Sequence, residues 1–194
     1  MSNYEQTEFS RQLANVLRVG TITELDESAA RVRVSTSGLT TDWLPWTASR
    51  AGNTRQWSPP RVGEQVLVAS PYGDMGQALV IGSLYSDEKP APAGSKDQEH
   101  IVFPDGSTVD YNSATHTMAL AMVAAGHLNV TIGGAKIEAS ASGIKLTVGG
   151  VSFDITSGGI VMAGGTVTHD GKNIGSTHTH SGVQPGGSNT GVPT

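Results

Sequence analysis

Cysteine is absent from the 194 residues, so neither a disulfide framework nor thiolate metal or redox chemistry is available. Basic residues are in the minority: 12 Lys and Arg against 17 Asp and Glu leave a formal net charge of -5. A dedicated nucleic-acid binder ordinarily carries a clustered basic face, and this balance argues against that class. No apolar run approaches the length of about eighteen residues that a membrane-spanning helix needs. The opening Met1-Ser2-Asn3-Tyr4-Glu5 has neither the basic nor the apolar region of a secretory signal. The expectation is a protein made in the cytoplasm that stays there or leaves by a route needing no such signal.

Large side chains are also scarce, and unevenly so. All three tryptophans precede residue 100, 17 of the 25 glycines follow it, and beyond Tyr111 the sole aromatic is Phe153. Aromatics and large aliphatics supply most of the area a globular core buries. The second half therefore needs another way to cover its apolar positions, and self-association is the obvious one.

What is present changes character along the chain. Ser2 and Glu5 fit a capping box, and Phe9, Leu13, Val16 and Leu17 follow at helical spacing, which predicts an amphipathic helix over about 3–17. Its apolar side packs on its own domain or on another subunit. From Arg18 to Tyr85 short β segments alternate: Val19–Leu25 and Ala30–Val34 around a hairpin signal, then Trp43–Trp46, Gln65–Val68 and Ala78–Ile81. About five short strands suit a small closed barrel of the OB type. Such barrels often bind single strands, and Trp43, Trp46 and Trp57 could stack bases. The acidic balance instead favours a core or interface role for them. A polar, proline-bearing stretch at 87–100 reads as a linker.

Beyond it come strand-turn units with one apolar face each. Met118, Leu120 and Met122 alternate with small or polar residues, and so do Leu128, Val130 and Ile132 before Gly133-Gly134. Ile144, Leu146 and Val148 end at Gly149-Gly150, Val151, Phe153 and Ile155 end before Gly158-Gly159, and Ile160 and Met162 precede Gly164-Gly165. No helical pattern covers these faces. Three chains wound about one axis would turn each apolar face inward and protect the strand edges. The expected architecture is a three-chain prism.

The chain then reaches His178-Thr179-His180. In an extended strand residues two apart share a face, so the two imidazoles would stand side by side. Three chains meeting at this point would supply six nitrogens, which suits an octahedral ion better than tetrahedral zinc, and iron, nickel and copper all accept imidazole. The remaining histidines carry less weight: His100, His116 and His127 read as exposed, and His169 precedes the turn signal Asp170-Gly171. Ser181 beside His180 lacks an acidic orienter or a nucleophile-elbow pattern, and Asp105-Gly106 reads as a hairpin turn rather than half of a carboxylate pair with Asp110. No enzyme is indicated.

Three runs carry a resemblance. Val66-Leu67-Val68, Gly73-Asp74 and Val80-Ile81-Gly82-Ser83-Leu84-Tyr85 form the first, and Phe103-Pro104-Asp105-Gly106-Ser107 the second. The third is His169-Asp170-Gly171-Lys172-Asn173-Ile174-Gly175 leading into His178-Thr179-His180 and Gly186-Gly187-Ser188-Asn189-Thr190. Together they resemble baseplate assembly protein V, the central spike family of contractile-tailed phages and R-type pyocins. The resemblance implies an all-β homotrimer: an N-terminal OB-fold barrel, then an intertwined triple-stranded β-helix, then a metal-binding apex. The corresponding boundaries are a helix at 1–17, the barrel at 18–86, the linker at 87–100, the shaft at 101–168 and the apex at 169–194. It further implies one iron ion per trimer held by His178 and His180 of each chain, with additional apex ions such as calcium or chloride allowed. Implied partners are the baseplate hub and tail tube proteins, with the bacterial outer membrane as target and no nucleic acid. The implied location is the baseplate of a virion tail or a pyocin particle. The function it implies is mechanical piercing; a trimeric tail fibre or adhesin that binds a surface receptor through its tip loops is the alternative.

Overall fold

The hairpin signal in the first third of the chain becomes two neighbouring strands of a five-stranded sheet. The computed structural model describes residues 3–182 with Gly186 and Gly187, and side chains from residue 6 onward. It divides into two compact units, Met1–Gly94 and Ser95–Thr194.

In the first unit, helix α1 spans Asn3–Val16 and runs directly into β1, Leu17–Asp26. The Ser2 cap lies outside the described residues. β1 pairs antiparallel with β2, Arg31–Thr36, through a bulge between Ile22 and Glu24, and β3 is the two-residue Leu39–Thr40. β4, Gln65–Ala69, pairs with the other edge of β1, and β5, Leu79–Leu84, pairs with β4, giving the order β3-β2-β1-β4-β5. Trp43–Trp46, expected as a strand, forms no ladder. Instead Leu44 bridges Val32 of β2 and Trp46 bridges Val80 of β5, so this short segment joins the two sides of the sheet and closes the barrel. A proline at position 45 cannot donate to a ladder, which limits the segment to isolated bridges.

The core of this unit is aliphatic. Ile22, Val32, Val34, Leu44, Val66, Val68, Ala78 and Val80 are all buried, in keeping with inward positions that alternate along β1, β2 and β4. No tryptophan belongs to it. Trp46 packs against its margin and meets Trp57 at 5.6 Å between ring centroids, while Arg33 lies over Trp43. The helix is held by polar and backbone contacts. Asn15 is buried and accepts from the Arg18 guanidinium, and Ser70 N–H donates to the Val16 carbonyl at 2.8 Å. Phe9, Leu13 and Leu17 remain exposed on α1 and the start of β1.

The second unit is built from meanders. β6, Gln98–Val102, β7, Thr108–Asn112, and β8, Thr117–Ala121, form a three-stranded antiparallel sheet. Its first strand begins inside the stretch read as linker, because Gln98 and His100 pair with Asn112 and Asp110 of β7. Five further strands follow one another in space as in sequence: β9, His127–Ile132; β10, Ala135–Ser140; β11, Gly143–Val148; β12, Val151–Thr156; β13, Gly159–Ala163. β10 escapes the sequence pattern because Ile137 is its single large apolar residue.

The register of this sheet segregates its two faces. Val130, Ile137, Leu146, Phe153 and Met162 fall in one cross-strand row, and Leu128, Ala139, Ile144, Ile155 and Ile160 in another. Both rows lie on one face, because strand positions two apart project the same way. The intervening row, Asn129, Glu138, Lys145, Asp154 and Val161, lies on the other, polar but for Val161, and there Lys145 and Asp154 pair at 3.1 Å. Strand pairing within the chain is thus consecutive, and the apolar face is left for covering by something else. Among the described residues of this unit only Ser107 is buried.

Candidate metal centre

The last hairpin among the described residues sets the site. β14, Thr168–His169, and β15, Lys172–Asn173, pair antiparallel about Asp170 (φ 47°) and Gly171 (φ 75°). Two consecutive left-handed residues make the primed turn whose twist matches a tight hairpin, which is why the Asp-Gly pair stands there. Ile174 N–H then donates to the Val167 carbonyl at 2.8 Å and extends the hairpin by one step.

Past Ile174 the chain turns rather than continuing as a strand. Asn173 Oδ1 accepts from Gly175 N–H at 2.9 Å, and its amide nitrogen donates to Thr177 Oγ1 at 2.9 Å. The Gly175 carbonyl accepts from His178 N–H at 3.1 Å and from His178 Nδ1 at 2.6 Å. His178–His180 is therefore not the extended strand expected from its spacing. The two rings nonetheless come together, edge to face, with centroids 5.0 Å apart and planes at 80°. Both are exposed. Among the described residues no group of three or more His, Asp or Glu side chains comes together as a ligand set. One chain supplies two imidazoles here and no more.

The donor chemistry fits a metal. A carbonyl can only accept, so Nδ1 of His178 is the donor, and in the neutral ring Nε2 is the nitrogen left with a lone pair for a ligand. Residues 183–185 and 188–194, the greater part of the tail after His180, lie outside the described residues. His169 and Asp170 approach at 3.7 Å and are both open to solvent.

His100 departs from its expected exposure. Its Nδ1 lies 2.9 Å from Asp110 Oδ2, both side chains are about four-fifths covered, and Gln98 donates to the same oxygen. The Gln98 amide, then His100, hold the Asp110 carboxyl below its ordinary value. Asp105 accepts from both the N–H and the hydroxyl of Ser107, inside a turn closed by Phe103 and Ser107. Each aspartate is thus tied to its own partner.

Comparison with known proteins bears on both units. Residues 18–85, which hold β1 to β5, match the type VI secretion system/phage-baseplate injector OB domain. Residues 176–194, which include both tip histidines, match the GpV apex motif. Over 139 residues the chain is 39% identical to the spike protein of Escherichia phage P2. All three matches liken the chain to phage baseplate spike proteins. The match takes in 69% of this chain and 66% of the phage P2 protein, just under two thirds. An all-β chain with an N-terminal OB domain is the fold on which the domain match and the structure agree.

Proposed function

We propose that three copies of this chain form the central spike of a contractile-tail baseplate, which pierces the bacterial outer membrane mechanically. The observation that carries the trimer is the second unit's lack of a core: its described residues bury only Ser107 while an entire sheet face is apolar. Leu146, Ile144 and Ile137 on that face are 42–47% exposed. Covering what remains exposed of each such side chain is worth about 0.5–1.5 kcal/mol, and three sheets facing one axis would cover them all. The expected organisation places the barrel at 18–86, the shaft at 101–168 and the apex at 169–194, with the barrel bound to hub and tail tube proteins. The likeness to a phage spike protein and to a phage-baseplate injector OB domain supports assembly with other tail proteins in the virion.

At the apex, Nε2 of His178 and a nitrogen of His180 from each chain would hold one metal ion, and iron is the ion the family resemblance implies. A bound ion ties three chain ends together and resists the fraying to which termini are prone. No reaction is required of it. Alternating rows of polar side chains outside and apolar side chains inside give the shaft its stiffness.

Solution mass and elemental composition of the purified, tag-free protein test this reading together. A trimer with about one-third of an iron atom per chain is expected. A monomer would overturn the architecture. A metal-free trimer would return the two histidines to ordinary surface residues.

A further inference from the structure

We propose that Asn173 is the positioning residue of the tip site: its amide holds the Gly175–Thr177 turn so that the Gly175 carbonyl accepts a hydrogen bond from Nδ1–H of His178 and leaves Nε2 as the metal-binding nitrogen. This rests on the reading of His178 and His180 as metal ligands.

The hydrogen bonds form one connected set. Asn173 is the last residue of β15, paired with Thr168 across the hairpin, so its backbone is fixed before the turn begins. Gly175 N–H can only donate, which assigns Oδ1 of Asn173 to it and leaves the NH2 group for Thr177 Oγ1. The side chain thereby spans both ends of the turn. Gly175 has its N–H bound on one side, and its carbonyl accepts twice from the same residue, His178. A carbonyl has two lone pairs, so both bonds can form at once.

The consequence is chemical. A histidine ligand is set by the partner of its other nitrogen, which chooses the tautomer and the ring direction and raises the basicity of the ligating atom. Here that partner is a backbone carbonyl, and a backbone carbonyl is aimed only by the turn that carries it. With the ring so held, His180 stands edge-on to it at 5.0 Å between centroids. Asn173 touches neither ring; it acts through the turn.

The test uses the full chain labelled with 15N-histidine, first stripped of metal by a chelator at unchanged oligomeric mass. Long-range 1H–15N spectra above pH 7 read the tautomer, and added ferrous iron followed by chelator challenge reads metal retention. In the wild type His178 is expected as the Nδ1–H tautomer. Asn173→Ala should lose that single tautomer and hold iron about tenfold or more weakly. Asn173→Asp keeps the acceptor for Gly175 N–H and should retain most of both signals. If Asn173→Ala fails to assemble, Thr177→Val removes one end of the span and should show the same losses in smaller measure. A wild-type His178 protonated at Nε2, or iron retention unchanged in Asn173→Ala and Thr177→Val, would overturn the proposal. A wild type that takes up no iron would overturn the metal reading itself, and the positioning role with it, whereas iron bound equally by wild type and variants defeats the role of Asn173 alone.

Discussion

Gly73 and Gln12 meet backbone to backbone: a Cβ built on Gly73 would stand 2.3 Å from the Gln12 carbonyl oxygen. Gly73 also has φ 68°, and the preceding Tyr72, at φ 56°, is a non-glycine residue in the same left-handed region. This close approach lets helix α1 lie on the loop before β5, because only a residue without a side chain leaves room for the helix.

Gly73→Ala is accordingly expected to lift α1 from the barrel. The clash and the strained φ together should cost about 1–3 kcal/mol. Limited proteolysis checks it: cleavage within Glu8–Val16 should speed up, while the barrel core, which contains no helix residue, persists. Unchanged cleavage would show that the helix docks by other contacts.

Acid should weaken the second unit through Asp110. Hydrogen bonds from Gln98, then His100, lower its folded pKa below the ordinary 3.8. A lowered carboxylate pKa means that the unfolded chain binds the proton more readily. The stabilisation is therefore present above the ordinary value and is lost as pH falls through it to the folded value. Urea midpoints measured from pH 6 to pH 2.5 should decline over that window, and Asp110→Asn should make the decline shallower and lower the midpoint at pH 6. Asp105, lowered by the N–H and then the hydroxyl of Ser107, contributes in the same direction and should leave a residual slope.

Leu146→Asp places a charge in the middle row of the apolar face, between Ile137 and Phe153. If three such faces pack together, three uncompensated carboxylates would be buried at one level, and a buried unpaired charge costs several kcal/mol. Sedimentation equilibrium should show loss of the trimer. Resonances of the barrel core should be unchanged, since it lies in the other unit. A trimer that survives would place the interface elsewhere.

The double variant His178→Ala/His180→Ala should keep the trimer and lose the metal. Hydrogen exchange in the stretch from Gly175 to Gly182 should accelerate, because both the ion and the Gly175–His178 side-chain bond are gone. Retained metal would exclude these residues as ligands.

Much of this was legible in one dimension. The β1–β2 hairpin, the two-residue periodicity of Val66 and Val68, and the alternation through Ile144, Leu146 and Val148 all follow from local chemistry that reads the same folded or unfolded. So does the Asp170-Gly171 turn, which needs left-handed backbone at both positions. Other features were hidden because their partners are distant in sequence. The tryptophans pointed to a core or an interface, and the structure places them outside an aliphatic core. His100 read as exposed until Asp110, ten residues away, came to lie opposite it across two strands. β10 was missed because alanines take two of its three positions on the apolar face and leave Ile137 alone there.

The sequence by itself determined the class of each half: alternation, glycine turns and a shortage of large side chains permit β meanders and deny the second half a core of its own. His178 and His180 were singled out by their spacing together with the resemblance carried by the run around them. Only tertiary structure decided how the barrel closes, through Leu44 bridging to β2 and Trp46 to β5, and which face of the second sheet is wholly apolar. It also decided which nitrogen of His178 is free, because that depends on a carbonyl aimed by a turn. Periodicity depends on neighbours along the chain, whereas closure, register and tautomer depend on groups brought together across it.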